Sequence, residues 1–208
     1  MKSLSGYVEV EPMLWVDYGM KALILDGSRE EDSGFNNIID NIINVLKESS
    51  LQVEIITLRS LGMSSCLGCF GCWIKTPGIC VIDDIGRTIA MKAVQSDLLI
   101  LFTPIIFGGY SSELKKALDR MIPNMLPFYT KIDGEIHHYP RYEKYPKIIG
   151  IGFLPSQDQV SENIFEKLIE RNSINFYCEK YSSRVIYPDD TPESIHEKMT
   201  KALAELNE

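Results

Sequence analysis

Short continuous apolar runs alternate along this chain with stretches in which apolar residues recur three and four positions apart. The first pattern marks strands covered on both faces, and the second marks helices with one buried side. The apolar runs predict strands at 21–25, 53–58, 98–102, 147–153 and 177–186. Helical spacing links them. Ile38, Ile39, Ile42, Ile43, Val45 and Leu46 follow the first strand, and a segment capped by Asp83 or Asp84 and ending near Gln95 follows the second. Leu114, Ala117, Leu118 and Met121, behind Ser111 or Ser112 as cap, follow the third. A helix over 160–172 follows the fourth strand, and Thr191-Pro192 opens the last helix, with Ile195, Met199, Ala202, Leu203 and Leu206 on its buried face.

Strands joined through helices by right-handed crossovers predict an α/β fold, a doubly wound five-stranded parallel sheet of order 2-1-3-4-5. Every loop at a strand's carboxyl end then lies on one edge, and ligands bind where the order reverses, between the first and third strands. Residues 1–19 show no period and predict an arm outside a domain spanning 20–208. Residues 123–146, rich in Pro and Tyr, predict a long irregular loop, in which His137 and His138 are expected in solvent. Cys178 is expected as a buried strand residue.

Chemistry enters at two places on that edge. The loop 27–34 joins a strand to a helix, where backbone N–H groups and the helix N-terminus favour an anion, so Ser28, Arg29 and Ser33 are candidate phosphate donors. Glu30, Glu31 and Asp32 oppose a phosphate unless they point outward. The insert 64–82 carries Cys66, Cys69, Cys72 and Cys80, spaced C-x2-C-x2-C-x7-C. Thiolates at such turn-forming spacing suit an iron–sulfur cluster, and four sulfurs suit zinc as well.

Charge and composition narrow the partners. A net charge of -8 over 208 residues excludes the basic footprint of a nucleic-acid binder. No apolar run reaches the roughly 20 residues that span a bilayer, and Glu9, Glu11 and Asp17 stand where a signal peptide needs a basic start. With cysteines clustered rather than dispersed, the expectation is a cytoplasmic protein in a reducing compartment.

Residues 103–120, TPIIFGGYSSELKKALDR, are similar to the third-strand loop and following helix of the flavodoxin-like NAD(P)H-dependent FMN reductases. With the cysteine insert, the chain resembles the iron–sulfur flavoprotein subgroup of that family. The resemblance implies FMN, with Ser28, Arg29 and Ser33 along its phosphate and Pro104, Ile105, Ile106, Phe107 and Gly108 along its isoalloxazine, and a third flavin-side loop at 154–158. It further implies a [4Fe–4S] cluster on the four cysteines, NAD(P)H as a donor, a small-molecule or ferredoxin-type electron partner, and a homodimer or homotetramer. It names no catalytic side chain. Two departures stand out: Ile106 replaces a frequent tyrosine, and Glu30, Glu31 and Phe35 replace basic or hydroxyl residues of the phosphate loop.

The expected function is electron transfer between FMN and a one-electron carrier. The alternatives are an NAD(P)H-dependent FMN or quinone reductase without a cluster, a non-enzymatic flavodoxin-like carrier, and a zinc-stabilised binding module. Apart from the resemblance, Lys115, Asp119 and Arg120 fit a solvated helix face.

Overall fold

The strand Leu98–Pro104 (β3) is buried at all seven positions and forms the middle of the sheet. The computed structural model describes residues 19–32 and 35–207. The other parallel strands are Lys21–Asp26 (β1), Gln52–Thr57 (β2), Lys147–Phe153 (β6) and Tyr181–Ile186 (β7). Their order is β2-β1-β3-β6-β7, which is 2-1-3-4-5 counted over the parallel strands. Every pairing is parallel, with Ala22 opposite Leu98 and Asp26 opposite Phe102, so the order reverses between β1 and β3 as the alternating pattern predicts.

Because successive strand residues face opposite sides, the core splits in two. Leu23, Leu25, Leu99 and Leu101 meet the helices Ile85–Gln95 (α3), Ser112–Asp119 (α4) and Gln159–Asn175 (α5) through Ile89, Leu114, Phe165 and Ile169. Ile24, Ile100, Phe102 and Ile149 meet the helices Phe35–Glu48 (α1) and Pro192–Glu205 (α6) through Ile42, Leu46, Ile195 and Met199. Three helices thus cover one face and two the other; the one-turn helix Gly71–Ile74 (α2) lies within the cysteine insert. Asp84, Ser111, Asp158 and Thr191 cap α3, α4, α5 and α6 by accepting backbone N–H bonds, as their types favour.

The stretch 123–146 corrects the sequence reading. It holds an antiparallel hairpin, Met125–Ile132 (β4) and Glu135–Pro140 (β5), as a separate two-stranded sheet. The turn is Asp133-Gly134, both with positive φ (48° and 90°), the backbone that a two-residue hairpin turn requires. The last parallel strand also starts later than expected, at Tyr181, because α5 runs on to Asn175. Cys178 therefore sits in the connection before β7 and packs against the core from there, not from a strand. The expected arm at 1–19 lies outside the described residues apart from Gly19. Among the described residues, no helix is long and apolar enough to cross a membrane.

Candidate functional site

At the carboxyl end of β1, Asp26 is almost wholly buried (1% exposed) and starts a charged knot beneath the first loop. Its carboxylate accepts the Ser28 backbone N–H at 2.9 Å and pairs with Arg59 Nη1 at 3.0 Å; Arg59 also donates to Ser28 Oγ. Arg59 comes from the short 3-10 turn Leu58–Ser60 that follows β2. Gly27 allows the close approach of this loop to α4: a Cβ there would lie 2.7 Å from Leu114 Cβ and 2.8 Å from Ser111 Oγ.

One residue on, the donors converge on an anion supplied by the chain itself. Asp32 accepts the Arg29 backbone N–H at 2.9 Å and its guanidinium at 3.1 and 3.2 Å, while Glu31 holds the remaining Nη1 at 2.6 Å. The hydrogen bond to Asp32 helps hold the Arg29 guanidinium above its usual pKa. Donors of this kind also suit a phosphate, the group FMN would present to a candidate site here, and Asp32 occupies them. Asp32 therefore does not point outward, the one condition under which it would not oppose a phosphate. Ser33 lies outside the described residues.

The second loop leaves β3 at Pro104. Thr103 Oγ1 accepts the Ser111 N–H at 2.9 Å and donates to Pro104 O at 2.9 Å, pinning both ends of the loop. Ile105 is buried and donates its N–H to Phe153 O; Ile106 and Gly109 exchange two backbone bonds of 2.9 Å. That closed turn pushes Phe107 fully into solvent at φ 50°, with Gly108 buried behind it at φ 74°. A protruding aromatic ring at the switch-point edge offers a flat apolar surface to a ring system. The third loop, after β6, begins with Leu154 tied to Ile186 O and ends at Asp158, the cap of α5.

The four cysteines line one cleft of about 810 Å³, closed by α4, the C-terminal part of α5 and the hairpin. Cys66 and Cys69 are exposed, Cys80 is half-buried and Cys72 is buried; all four are free thiols. Burial pushes the Cys72 thiol pKa up, and the neighbouring Cys80, Cys66 and Cys69 add to the rise. The donor chemistry fits an iron–sulfur or zinc centre, and left-handed backbone at Gly68 (φ 62°) and Phe70 (φ 56°) folds the segment back on itself. Among the described residues, however, no three His, Cys, Asp or Glu side chains meet as a ready-made metal site.

Sequence reasoning missed Arg59 and placed Arg120, His137 and His138 in solvent. Arg120 is buried (1% exposed), not on a solvated face, and pairs with Asp84 at 2.7 Å, whereas Lys115 and Asp119 do form an exposed pair. Arg59 drew no notice. Trp73 donates its indole N–H to Met125 O at 2.9 Å, tying the cysteine insert to the hairpin. His138 lies between Trp73 and Tyr129, with ring centroids 4.8 and 4.7 Å away, and Phe70 stacks on Trp73 at 5.6 Å. His137 is buried against Asn175 at 3.0 Å, so neither histidine stands free in solvent. A faint signal existed for Arg120, which lies three residues beyond Ala117 on the buried stripe of α4.

A switch point lined by an anion-holding loop and a protruding aromatic loop defines a flavodoxin-like protein. Residues 20–135 match the model of the NADPH-dependent FMN reductase family, and the chain belongs to that family. It is 31% identical over 120 residues to an iron–sulfur flavoprotein of Methanocaldococcus jannaschii, covering 56% of this chain and 61% of that one. Over 117 residues it is 33% identical to an FMN-dependent NADPH-azoreductase of Staphylococcus aureus, covering 56% and 59%. The chain spans about half the length of the curated relatives it matches. Among solved structures it superposes on an NAD(P)H:quinone oxidoreductase of Methanothermobacter marburgensis with a TM-score of 0.64 over 90% of this chain and 98% of the other, at 14% identity, which shows a shared fold.

Proposed function

We propose that this chain is an FMN-dependent oxidoreductase, reduced by NAD(P)H or a one-electron carrier, that passes electrons between its flavin and a [4Fe–4S] cluster on Cys66, Cys69, Cys72 and Cys80. The observation that carries this reading is that the four thiols line a cleft whose wall includes Gly109 and Tyr110, the end of the flavin-side loop. FMN accepts a hydride and releases single electrons, and that is the chemistry the cofactor supplies.

The chain's own residues do the rest. Arg29 and the Ser28 turn hold the phosphate end, with Arg59 neutralising the buried Asp26 beneath it. Pro104 and Ile105 anchor the loop, and Ile106, Phe107 and Gly108 present it to the ring. Trp73, Phe70 and His138 wall the cysteine cleft with rings on the side of the buried Cys72, while Cys66 and Cys69 stay open to solvent. The acceptor we propose is a ferredoxin-type carrier or a small molecule, and the working form a homodimer or homotetramer.

A second reading keeps the flavin and drops the cluster, leaving an NAD(P)H-dependent reductase of small acceptors. It is favoured by the open arrangement of the thiols, of which Cys66 and Cys69 face solvent. Anaerobic purification with flavin, iron and sulfide assays separates the two. We expect bound FMN that NAD(P)H or reduced ferredoxin bleaches, together with iron and sulfide, and we expect Cys69→Ser to lose the iron while keeping FMN. A yellow protein without iron leaves the simple reductase; colourless protein that takes up no flavin rejects both.

A further inference from the structure

We propose that Arg120 is the positioning residue of the sulfur site, clasping both ends of the cysteine insert and donating its Nε–H to the sulfur of Cys80 when the cluster is in place. The inference rests on the cluster reading above.

A guanidinium carries five N–H donors. In Arg120 four of them are spent on the two ends of the insert. Nη1 donates to Ser64 O at 2.7 Å and Asp84 Oδ2 at 2.9 Å; Nη2 donates to Ile82 O at 3.3 Å and Asp84 Oδ1 at 2.7 Å. Ser64 stands two residues before Cys66, and Ile82 two residues after Cys80. One side chain from the end of α4 thereby fixes where the loop of thiols leaves the domain and where it returns.

The fifth donor, Nε, is buried and has no hydrogen-bond partner. A buried N–H left unpaired is costly, so native proteins rarely keep one without a reason. Arg120 and Cys80 both line the cysteine cleft, and Cys80 is the thiol near enough to interact with the guanidinium. Cys80 is held from its other end as well, since Arg87 Nε donates to its carbonyl at 2.8 Å. The site is shaped around the guanidinium: a Cβ at Gly86 would lie 2.9 Å from Arg120 Cζ and Nη2.

Asp84 balances the charge of Arg120, so what remains for the sulfur is a directed hydrogen bond more than a net positive field. Hydrogen bonds to cluster sulfurs raise the reduction potential by stabilising the more negative, reduced state. Lysine keeps the charge but has no fork and no Nε–H at that position.

The test compares anaerobically purified wild type, Arg120→Lys and the paired variant Arg120→Gln/Asp84→Asn, which leaves no buried charge unbalanced. Iron, sulfide and FMN per chain, melting temperature, and the separate midpoint potentials of flavin and cluster are measured. We expect FMN and the flavin potential to hold. The cluster potential is expected to fall by about 59 mV, a tenfold change in a one-electron equilibrium, in both variants. Loss of iron with FMN and melting temperature intact supports the same role, because only the sulfur site has then failed. Variants whose clusters titrate at the wild-type potential overturn the inference and leave the proposed function standing. Wild-type protein without iron or sulfide overturns both.

Discussion

Asp84→Ala should destabilise the protein by about 3–5 kcal/mol, the cost of removing one partner from a buried ion pair. Arg120 is 1% exposed and has Asp84 as its carboxylate partner, in a two-bond fork of 2.7 and 2.9 Å. Without Asp84 the guanidinium is left charged and buried, and arginine does not shed its proton. Asp84 also caps α3 through Gly86 N–H and accepts the Ser64 N–H, both at 2.9 Å, so the same change frays the helix and loosens the insert. Set against a typical total stability of about 5–15 kcal/mol, the loss is large, and for a chain of this size it lowers the melting temperature by roughly 10 °C or more. Asp84→Asn keeps one acceptor oxygen and should cost less, though it loses the two-bond fork to Arg120.

The same pair sets an acid limit. The hydrogen bonds from Arg120, with those from Ser64 and Gly86, hold the Asp84 carboxyl far below the usual carboxylate range. A depressed folded-state pKa contributes stability that is complete above the unfolded value, about 3.9, and is lost as the pH falls below it toward the folded value. Wild type should therefore lose stability from about pH 4 downward more steeply than Asp84→Asn. Urea melts at neutral and acid pH check both points. An Asp84→Ala midpoint equal to wild type at neutral pH would mean that water, not Asp84, balances the guanidinium.

The sheet was legible because a strand buried on both faces writes itself as an unbroken apolar run, and 98–104 is buried at every position. The place of the two candidate cofactor loops followed from topology, since the switch point depends only on strand order. The hairpin was missed although Asp133-Gly134 stood in the sequence, because Pro127 and Pro140 within its strands argued against pairing. Its place as a separate two-stranded sheet explains why both prolines are tolerated.

Arg120 and Asp84, 36 positions apart, and Trp73 and Met125, 52 apart, meet through tertiary contacts that no local period records. His138 looked like a loop residue for the same reason; its stacking partner Trp73 belongs to a different segment. The cysteine spacing named four thiols, and these line one cleft. Whether the sulfurs close on a centre is decided by the metal, whose binding free energy orders its own ligands.

Arg59→Met should weaken FMN binding roughly 30-fold while changing riboflavin binding little. Asp26 is 1% exposed and lies directly under the loop proposed to hold the phosphate, accepting the Ser28 N–H at 2.9 Å. Arg59, at 3.0 Å, is the cation that balances it. Removing Arg59 leaves a buried carboxylate facing an incoming phosphate. At an effective dielectric of about 20 and a separation of about 8 Å, one unit charge acting on another is worth about 2 kcal/mol, which is roughly 30-fold in affinity. Riboflavin lacks the phosphate and should not feel the change. Adding Asp26→Asn to Arg59→Met removes the uncompensated charge and should restore most of the FMN affinity, although each single change weakens the loop. Flavin fluorescence titrations of the four proteins give the FMN-to-riboflavin ratio directly. If both flavins weaken together, Arg59 supports the loop mechanically; if the double variant binds FMN no better than Arg59→Met, charge balance under the phosphate is not what Arg59 supplies.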